Sequence, residues 1–128
     1  MNEAGNPLAW LAYAEEDYTA AKSALRHKRP LILTACFHAQ QCAEKCLKAL
    51  LVASDVDFPK THDLSALNTL CTQAGIITGL SASALAKLSE HAVHTRSPGE
   101  VPTLEEAKEA IQIANTVRRF TKTWLGIH

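Results

Sequence analysis

The sequence predicts an all-α protein, an antiparallel up-and-down bundle of about five helices. Apolar residues recur at spacings of three and four through long segments, as on the buried face of a helix. Short segments rich in proline and glycine separate these stretches, and no segment alternates as a strand does. Short connections between long amphipathic helices make neighbours antiparallel. We expect residues 1–128 to form one domain, long enough to bury a core without metal or disulfides.

The first two helices are expected to be the longest part of the bundle. The first runs from about Pro7 to His27, because Asn6 is a favourable N-cap and proline suits the first helical position. Pro30 ends it. The second runs from about Leu31 to Ser54 and is the most apolar segment, so it should be the central helix.

The third and fourth helices are shorter. The third should start near Thr61 or His62, either of which can cap it, with Asp63 favourable to the helix dipole in the first turn. The fourth spans roughly Ser81 to Thr95. The loop SPGEVP follows, with two prolines and a glycine in six residues.

The fifth helix is expected to run from its cap to near the end of the sequence. It opens with TLEE, in which Thr103 and Glu106 have the spacing of a capping box. Its apolar positions keep one face, from Ala107 to Trp124 and Leu125, and this face should be buried.

Composition and charge limit the function classes. Thirteen basic and 13 acidic side chains balance, so bulk charge gives no argument for nucleic acid or an anionic membrane as partner. The N-terminal residues lack a signal peptide's basic region, and no apolar run has the length of a membrane span. We therefore expect a cytoplasmic protein that has no membrane partner and whose four cysteines are reduced: Cys36, Cys42, Cys46 and Cys71.

A polar stripe along the second helix is the most informative local feature. It gathers these five residues at about 100° per residue: Gln40, Gln41, Glu44, Lys45 and Lys48. The large apolar residues Leu33, Phe37 and Leu51 fall in the same arc. One interpretation is a solvated face with i,i+4 pairs, and another is a ligand site. The mixed character favours a third, burial between helices or subunits. We expect four residues to face a second copy: Phe37, Gln41, Glu44 and Lys48.

Three segments carry a family resemblance. They are AYAEEDYTAA (residues 12–21), FHAQQCAEKCLKALL (37–51) and FPKTHDLSALN (58–68), in an order and spacing that span nearly the whole chain. The chain resembles the HEPN (higher eukaryotes and prokaryotes nucleotide-binding) domains. The resemblance implies a five-helix bundle, usually a homodimer. It also often implies a separate nucleotidyltransferase partner in a toxin–antitoxin-like pair.

The resemblance further implies a possible ribonuclease site. Relatives with toxin activity are metal-independent ribonucleases, marked by an arginine followed four to six residues later by a histidine near the end of the fourth helix. Here Arg96 has no histidine after it until His128, so that motif is not present. His91 and His94 precede Arg96. This inverted trio is the candidate catalytic site, with histidine as acid or base and arginine opposite phosphoryl charge. The alternative is a polar helix end that complements the dipole.

Two further sets of residues have structural interpretations. His38, Cys42 and Cys46 repeat along one helix, but zinc sites take short-spaced ligand pairs, so we predict core packing, no metal and no cofactor. His62 and Asp63 are a further candidate site, although helix capping explains them.

The sequence favours a HEPN-type dimer acting as a nucleotidyltransferase partner. The alternative is a ribonuclease using His91, His94 and Arg96. A second alternative, a non-catalytic module that binds a nucleotide, follows from the family's name, since no Gly-x-Gly loop is present to hold a phosphate. RNA or a nucleotide therefore stays a possible ligand.

Overall fold

The chain folds into a bundle of α-helices. A computed structural model describes residues 3–92 and 98–127. Within them lie α1 (Pro7–Leu25), α2 (Ile32–Ala53), α3 (Leu64–Gln73), α4 (Ala82–Ser89) and α5 (Leu104–Trp124). Short 3-10 turns stand before α1, after α4 and before α5, at Glu3–Gly5, Glu90–Ala92 and Pro98–Glu100. The predicted all-α fold is confirmed. No helix in the described ranges combines the length and apolar character that crossing a membrane requires.

The central position of α2 is also confirmed. Thirteen of its 22 residues are buried, and it packs against α1, α3 and α5. Alanines on the facing sides of three helices have no bulk to hold the backbones apart, so these helices can approach closely. The buried alanines are Ala14, Ala21 and Ala24 of α1, Ala35, Ala39, Ala43 and Ala49 of α2, and Ala107, Ala110 and Ala114 of α5. Larger side chains fill the space towards α3 and α4: Leu47, Leu50, Leu51, Leu64, Leu67, Leu85 and Leu88.

The start of α3 differs from the prediction. The N-cap is Asp63, whose Oδ1 accepts from the backbone N–H groups of Ser65 at 3.0 Å and Ala66 at 3.3 Å. The prediction that Thr61 or His62 caps this helix was wrong. A carboxylate accepts more strongly than a hydroxyl and its charge suits the helix N-terminus. Thr61 instead accepts from the N–H of Asp63, at 3.0 Å.

The two C-terminal helices also refine the prediction. The capping box of α5 is confirmed: Thr103 Oγ1 accepts from the N–H of Glu106, and Glu106 Oε1 accepts from the N–H of Thr103, both at 3.1 Å. The α-helical part of α4 ends six residues before the predicted Thr95, because its last turn tightens to a 3-10 turn.

One residue at the end of α5 lies differently from the prediction. Trp124 was expected on the buried face but is 44% exposed. Leu125 was expected on the same face and does pack against the core, because it lies closer in angle to buried Thr121 than Trp124 does.

Candidate functional site

The polar stripe of α2 divides into a buried part and a surface part. Glu44 is 4% exposed and Lys48 is 8% exposed, although both are ionisable side chains. Gln40 is completely buried. Phe37 and Gln41, on the same side of the helix, keep part of their surface. Contacts within the chain therefore bury Gln40, Glu44 and Lys48, whereas the N-terminal part of the arc, at Phe37 and Gln41, stays partly exposed.

The buried part is organised around Glu44. Lys48 Nζ donates to Oε2 of Glu44 at 3.0 Å, and His62 Nδ1 lies 2.7 Å from Oε1. Gln40 Nε2 donates both to Glu44 Oε1 and to the backbone oxygen of His62, each at 3.2 Å. We call these four residues the Glu44 cluster. It attaches the loop before α3 to α2, so His62 acts through its position rather than as a helix cap.

The protonation of Glu44 follows from these partners. Burial alone raises the pKa of a carboxyl, because it penalises the charged form. The hydrogen bonds from His62, Gln40 and Lys48 outweigh that effect and hold the pKa of Glu44 below its usual value. Glu44 is therefore ionised at neutral pH and compensates the buried ammonium of Lys48.

The lowered pKa predicts how stability depends on pH. The unfolded state binds a proton at Glu44 before the folded state does, so the stabilisation is present above about pH 4.5 and is lost below it. We expect the unmodified chain to exceed Glu44→Gln in free energy of unfolding at pH 6. This difference should shrink as the pH falls below about 4.5 and the carboxyl takes up its proton. Urea titrations across that range measure it, and a difference that grew on acidification would contradict the cluster.

A second polar cluster, centred on the buried carboxylate of Asp17, joins α1 to α2. Asp17, 7% exposed, lies 2.8 Å from Nδ1 of His38 through Oδ1, and it accepts from Lys45 Nζ through Oδ2 at 2.5 Å. We call these three residues the Asp17 cluster. The sequence analysis did not single out Asp17. The available signal was an acidic residue on the line of the buried positions Ala14 and Ala21 of α1.

A third polar contact joins α1 to α5. Arg118 Nε donates to Glu15 Oε1 at 2.6 Å, and a second guanidinium nitrogen donates to Oε2 at 3.3 Å. Asn115 accepts from Arg118 at 2.9 Å, and the guanidinium lies 4.5 Å from the ring centroid of Tyr18. This bidentate pair holds the two helices in register. The sequence did not indicate the pair, because its partners are 103 residues apart.

Of the candidate catalytic trio, only His91 belongs to the described residues. It lies in the 3-10 turn after α4 and lines a cleft of about 280 Å³ with Lys87, Glu106 and Glu109. His94 and Arg96 fall within 93–97, outside the described residues. The geometry of the trio therefore stays a prediction.

The His38, Cys42 and Cys46 set packs as a structural element. Both cysteines are fully buried in the main core, and His38 turns towards Asp17. The hydrogen bond with Cys46, together with burial, raises the pKa of the Cys42 thiol, which keeps it neutral. A neutral thiol is a poor metal ligand. Across residues 3–92 and 98–127, no group of three or more His, Cys, Asp or Glu residues is placed to hold a metal ion.

The N-terminal part of this arc of α2 stays at the surface and is mostly apolar. Leu33, Phe37 and Gln41 follow one another at i,i+4 on α2, and we call them the α2 surface row. Leu33 is exposed, and the rings of Phe37 and His38 meet edge to face with centroids 5.4 Å apart. Gln41 Nε2 donates to Gln40 Oε1 at 2.7 Å, which connects the row to the Glu44 cluster beneath it.

Comparison with known proteins identifies one family. A family model described as HEPN domain matches residues 8–124, from the first turn of α1 to the last residue of α5. No curated protein and no solved structure matches the chain. The matched region contains the Glu44 cluster, the Asp17 cluster and the α2 surface row.

Proposed function

The chain belongs to the HEPN domain family, and from that premise we propose that it acts as the dimeric binding partner of a separate nucleotidyltransferase in a toxin–antitoxin-like pair. The supporting observation is how α2 uses its polar side chains. Glu44, Lys48 and Lys45 are engaged in ion pairs within the chain. The part of this arc of α2 left at the surface is the α2 surface row, whose mostly apolar character suits the dimer contact.

The proposed dimer contact centres on Phe37. An aromatic side chain at the middle of a partly apolar row is the usual type of residue that dominates an interface. Gln41 was predicted to face the second copy together with Phe37, and its amide can fix the register. Glu44 and Lys48 were assigned to the same contact, but their own chain already covers them. In this proposal they support the interface from beneath by holding α2 in place.

The competing proposal is a metal-independent ribonuclease using His91, His94 and Arg96. His91 lines a cleft beside Glu106 and Glu109, so it is accessible from solvent. Among the described residues, this cleft is lined by the carboxylates of Glu90, Glu106 and Glu109 and by one ammonium, Lys87, which lies 3.5 Å from Glu109. Their balance is negative and disfavours a phosphodiester. The charge of the His91 cleft therefore favours the binding role over catalysis.

The two proposals predict opposite results in one pair of assays. We expect the isolated chain to leave RNA intact without added metal, and Arg96→Ala to behave identically. We also expect the untagged chain to co-purify with a tagged nucleotidyltransferase encoded beside it, when the two are expressed together. RNA cleavage that Arg96→Ala abolishes would overturn the partner role in favour of the enzyme. A folded dimer that never co-purifies with the nucleotidyltransferase would also contradict it.

A further inference from the structure

Three helices of the bundle end in the same hydrogen-bonded turn. In α3 and α5 the residue after the C-cap is a glycine with positive φ, +85° at Gly75 and +76° at Gly126. The isoleucine that follows each glycine donates its N–H to the carbonyl five residues back, at 2.8 Å for Ile76 and 2.7 Å for Ile127. Glycine suits this position because it has no Cβ to clash in the left-handed region.

The end of α2 has the same turn but a different residue. Asp55 occupies the left-handed position with φ +60°, and Val56 donates its N–H to the oxygen of Leu51 at 2.9 Å. Aspartate tolerates this conformation better than most side chains, yet glycine adopts it with less strain. Glycine would therefore fit this turn with less strain than aspartate. The turn alone does not explain why residue 55 carries a carboxylate.

Asp55 lines an open cleft with an aromatic wall. The cleft has a volume of about 530 Å³ and lies between the segment before α1, the end of α2 and the loop that follows it. The rings of Trp10 and Phe58 meet edge to face in its wall, with centroids 6.2 Å apart and planes at 76°. Trp10 is held in orientation because its indole N–H donates to the backbone oxygen of Ala4 at 3.0 Å.

The charges of the cleft do not cancel. Lys48 Nζ lies 5.7 Å from the centroids of both rings, but Glu44 neutralises it at 3.0 Å. The remaining charged groups are two carboxylates, Asp55 and Asp57, against one ammonium, Lys60, which leaves one net negative charge. Neither carboxylate forms a hydrogen bond or ion pair with a side chain in residues 3–92 or 98–127. A single cation with an apolar or planar body complements this lining.

We propose that this cleft binds an arginine side chain of a protein partner, an inference that rests on the proposed role as a binding partner. A guanidinium is planar and weakly hydrated, so it packs against the rings of Trp10 and Phe58. Its forked N–H groups pair with the carboxylates of Asp55 and Asp57. The cleft is open on one side, which suits a side chain entering from a partner's surface, whereas small-molecule sites usually enclose most of their ligand.

The test uses the isolated chain and short peptides as probes. The chain has two tryptophans, so its NMR spectrum contains two indole N–H signals, and Trp124 does not line the cleft. We expect acetyl-Gly-Arg-Gly-amide at millimolar concentration to shift the Trp10 signal saturably and leave the Trp124 signal in place. The lysine peptide should bind several-fold more weakly, and the glutamate peptide should produce no saturable shift.

Variants of Asp55 separate binding from folding. Asp55→Gly should raise the melting temperature, because it relieves the strained turn, and should weaken the arginine peptide about tenfold. Asp55→Asn should lose affinity to a similar extent, since it removes the charge and keeps the size. The matched control is Lys60→Met, which removes the opposing charge and should tighten binding.

Any of three results would overturn the inference. The first is an Asp55→Gly variant that binds the arginine peptide as tightly as the unmodified chain does. The others are a glutamate peptide that shifts the Trp10 signal as much as the arginine peptide does, and an arginine peptide that gives no saturable shift. These results are independent of the co-purification assay. A chain that binds the nucleotidyltransferase but not the arginine peptide would refute the cleft and leave the proposed function standing.

Discussion

Glu44→Ala is expected to lower the free energy of unfolding by about 3–5 kcal/mol, the usual cost of removing one partner from a buried ion pair. Lys48 would keep its charge in a site that is 8% exposed, with no carboxylate beside it. His62 and Gln40 would lose a shared acceptor as well. Urea denaturation at pH 7 measures the difference.

Two controls define what the Glu44 result means. Glu16→Ala removes an exposed carboxylate from α1 and should change the free energy of unfolding by no more than about 0.5 kcal/mol. Lys48→Met in the Glu44→Ala background removes the uncompensated charge and should recover part of the loss. A loss below about 1 kcal/mol in Glu44→Ala would mean that water reaches Lys48, which would contradict the buried cluster.

Phe37→Asp is expected to abolish dimer formation while the monomer stays folded. The substitution places a charge at the middle of the α2 surface row, where a second copy would have to desolvate it. Phe37 keeps part of its surface exposed within its own chain, so an aspartate at this position can reach water without unfolding the bundle. Dimerisation stabilises a chain by mass action, so the unmodified protein should melt at a temperature that rises with its concentration. The melting temperature of Phe37→Asp should not depend on concentration.

Ile77→Asp is the matched control for the Phe37 substitution. Ile77 is 65% exposed and follows α3 in the chain. The substitution therefore introduces the same charge at an apolar surface position outside α2. Its melting should keep the concentration dependence of the unmodified chain. If both substitutions acted alike, the effect would belong to surface charge in general and the assignment of the row would fail.

Local sequence signals predicted the fold because they report short-range physics. The spacing of apolar residues identifies each buried face, and Asn6 and Thr103 mark helix starts through side chains that accept from nearby amides. The cap of α3 was predicted wrongly because several local signals competed. Three adjacent residues of the THDL segment could each cap α3, and only the folded loop shows that Asp63 does so.

The candidate site was predictable only in part, because its contacts join distant segments. The composition of the polar stripe indicated burial, and Glu44 and Lys48 are indeed buried. The pairing of Glu44 with His62 across 18 residues, and of Asp17 with Lys45 across 28, depends on how the helices pack. Periodicity carries no information on those partners. A charged residue within an apolar face is the sign that such a partner exists.

The central claim is that the α2 surface row forms a dimer contact. Its most direct test is the molar mass in solution, measured by light scattering for the unmodified protein and for Phe37→Asp. We expect the unmodified protein at twice the 13.9 kDa mass of one chain, and Phe37→Asp at the mass of one chain. An unmodified protein that is monomeric at every concentration, or a Phe37→Asp variant that stays dimeric, would contradict the account.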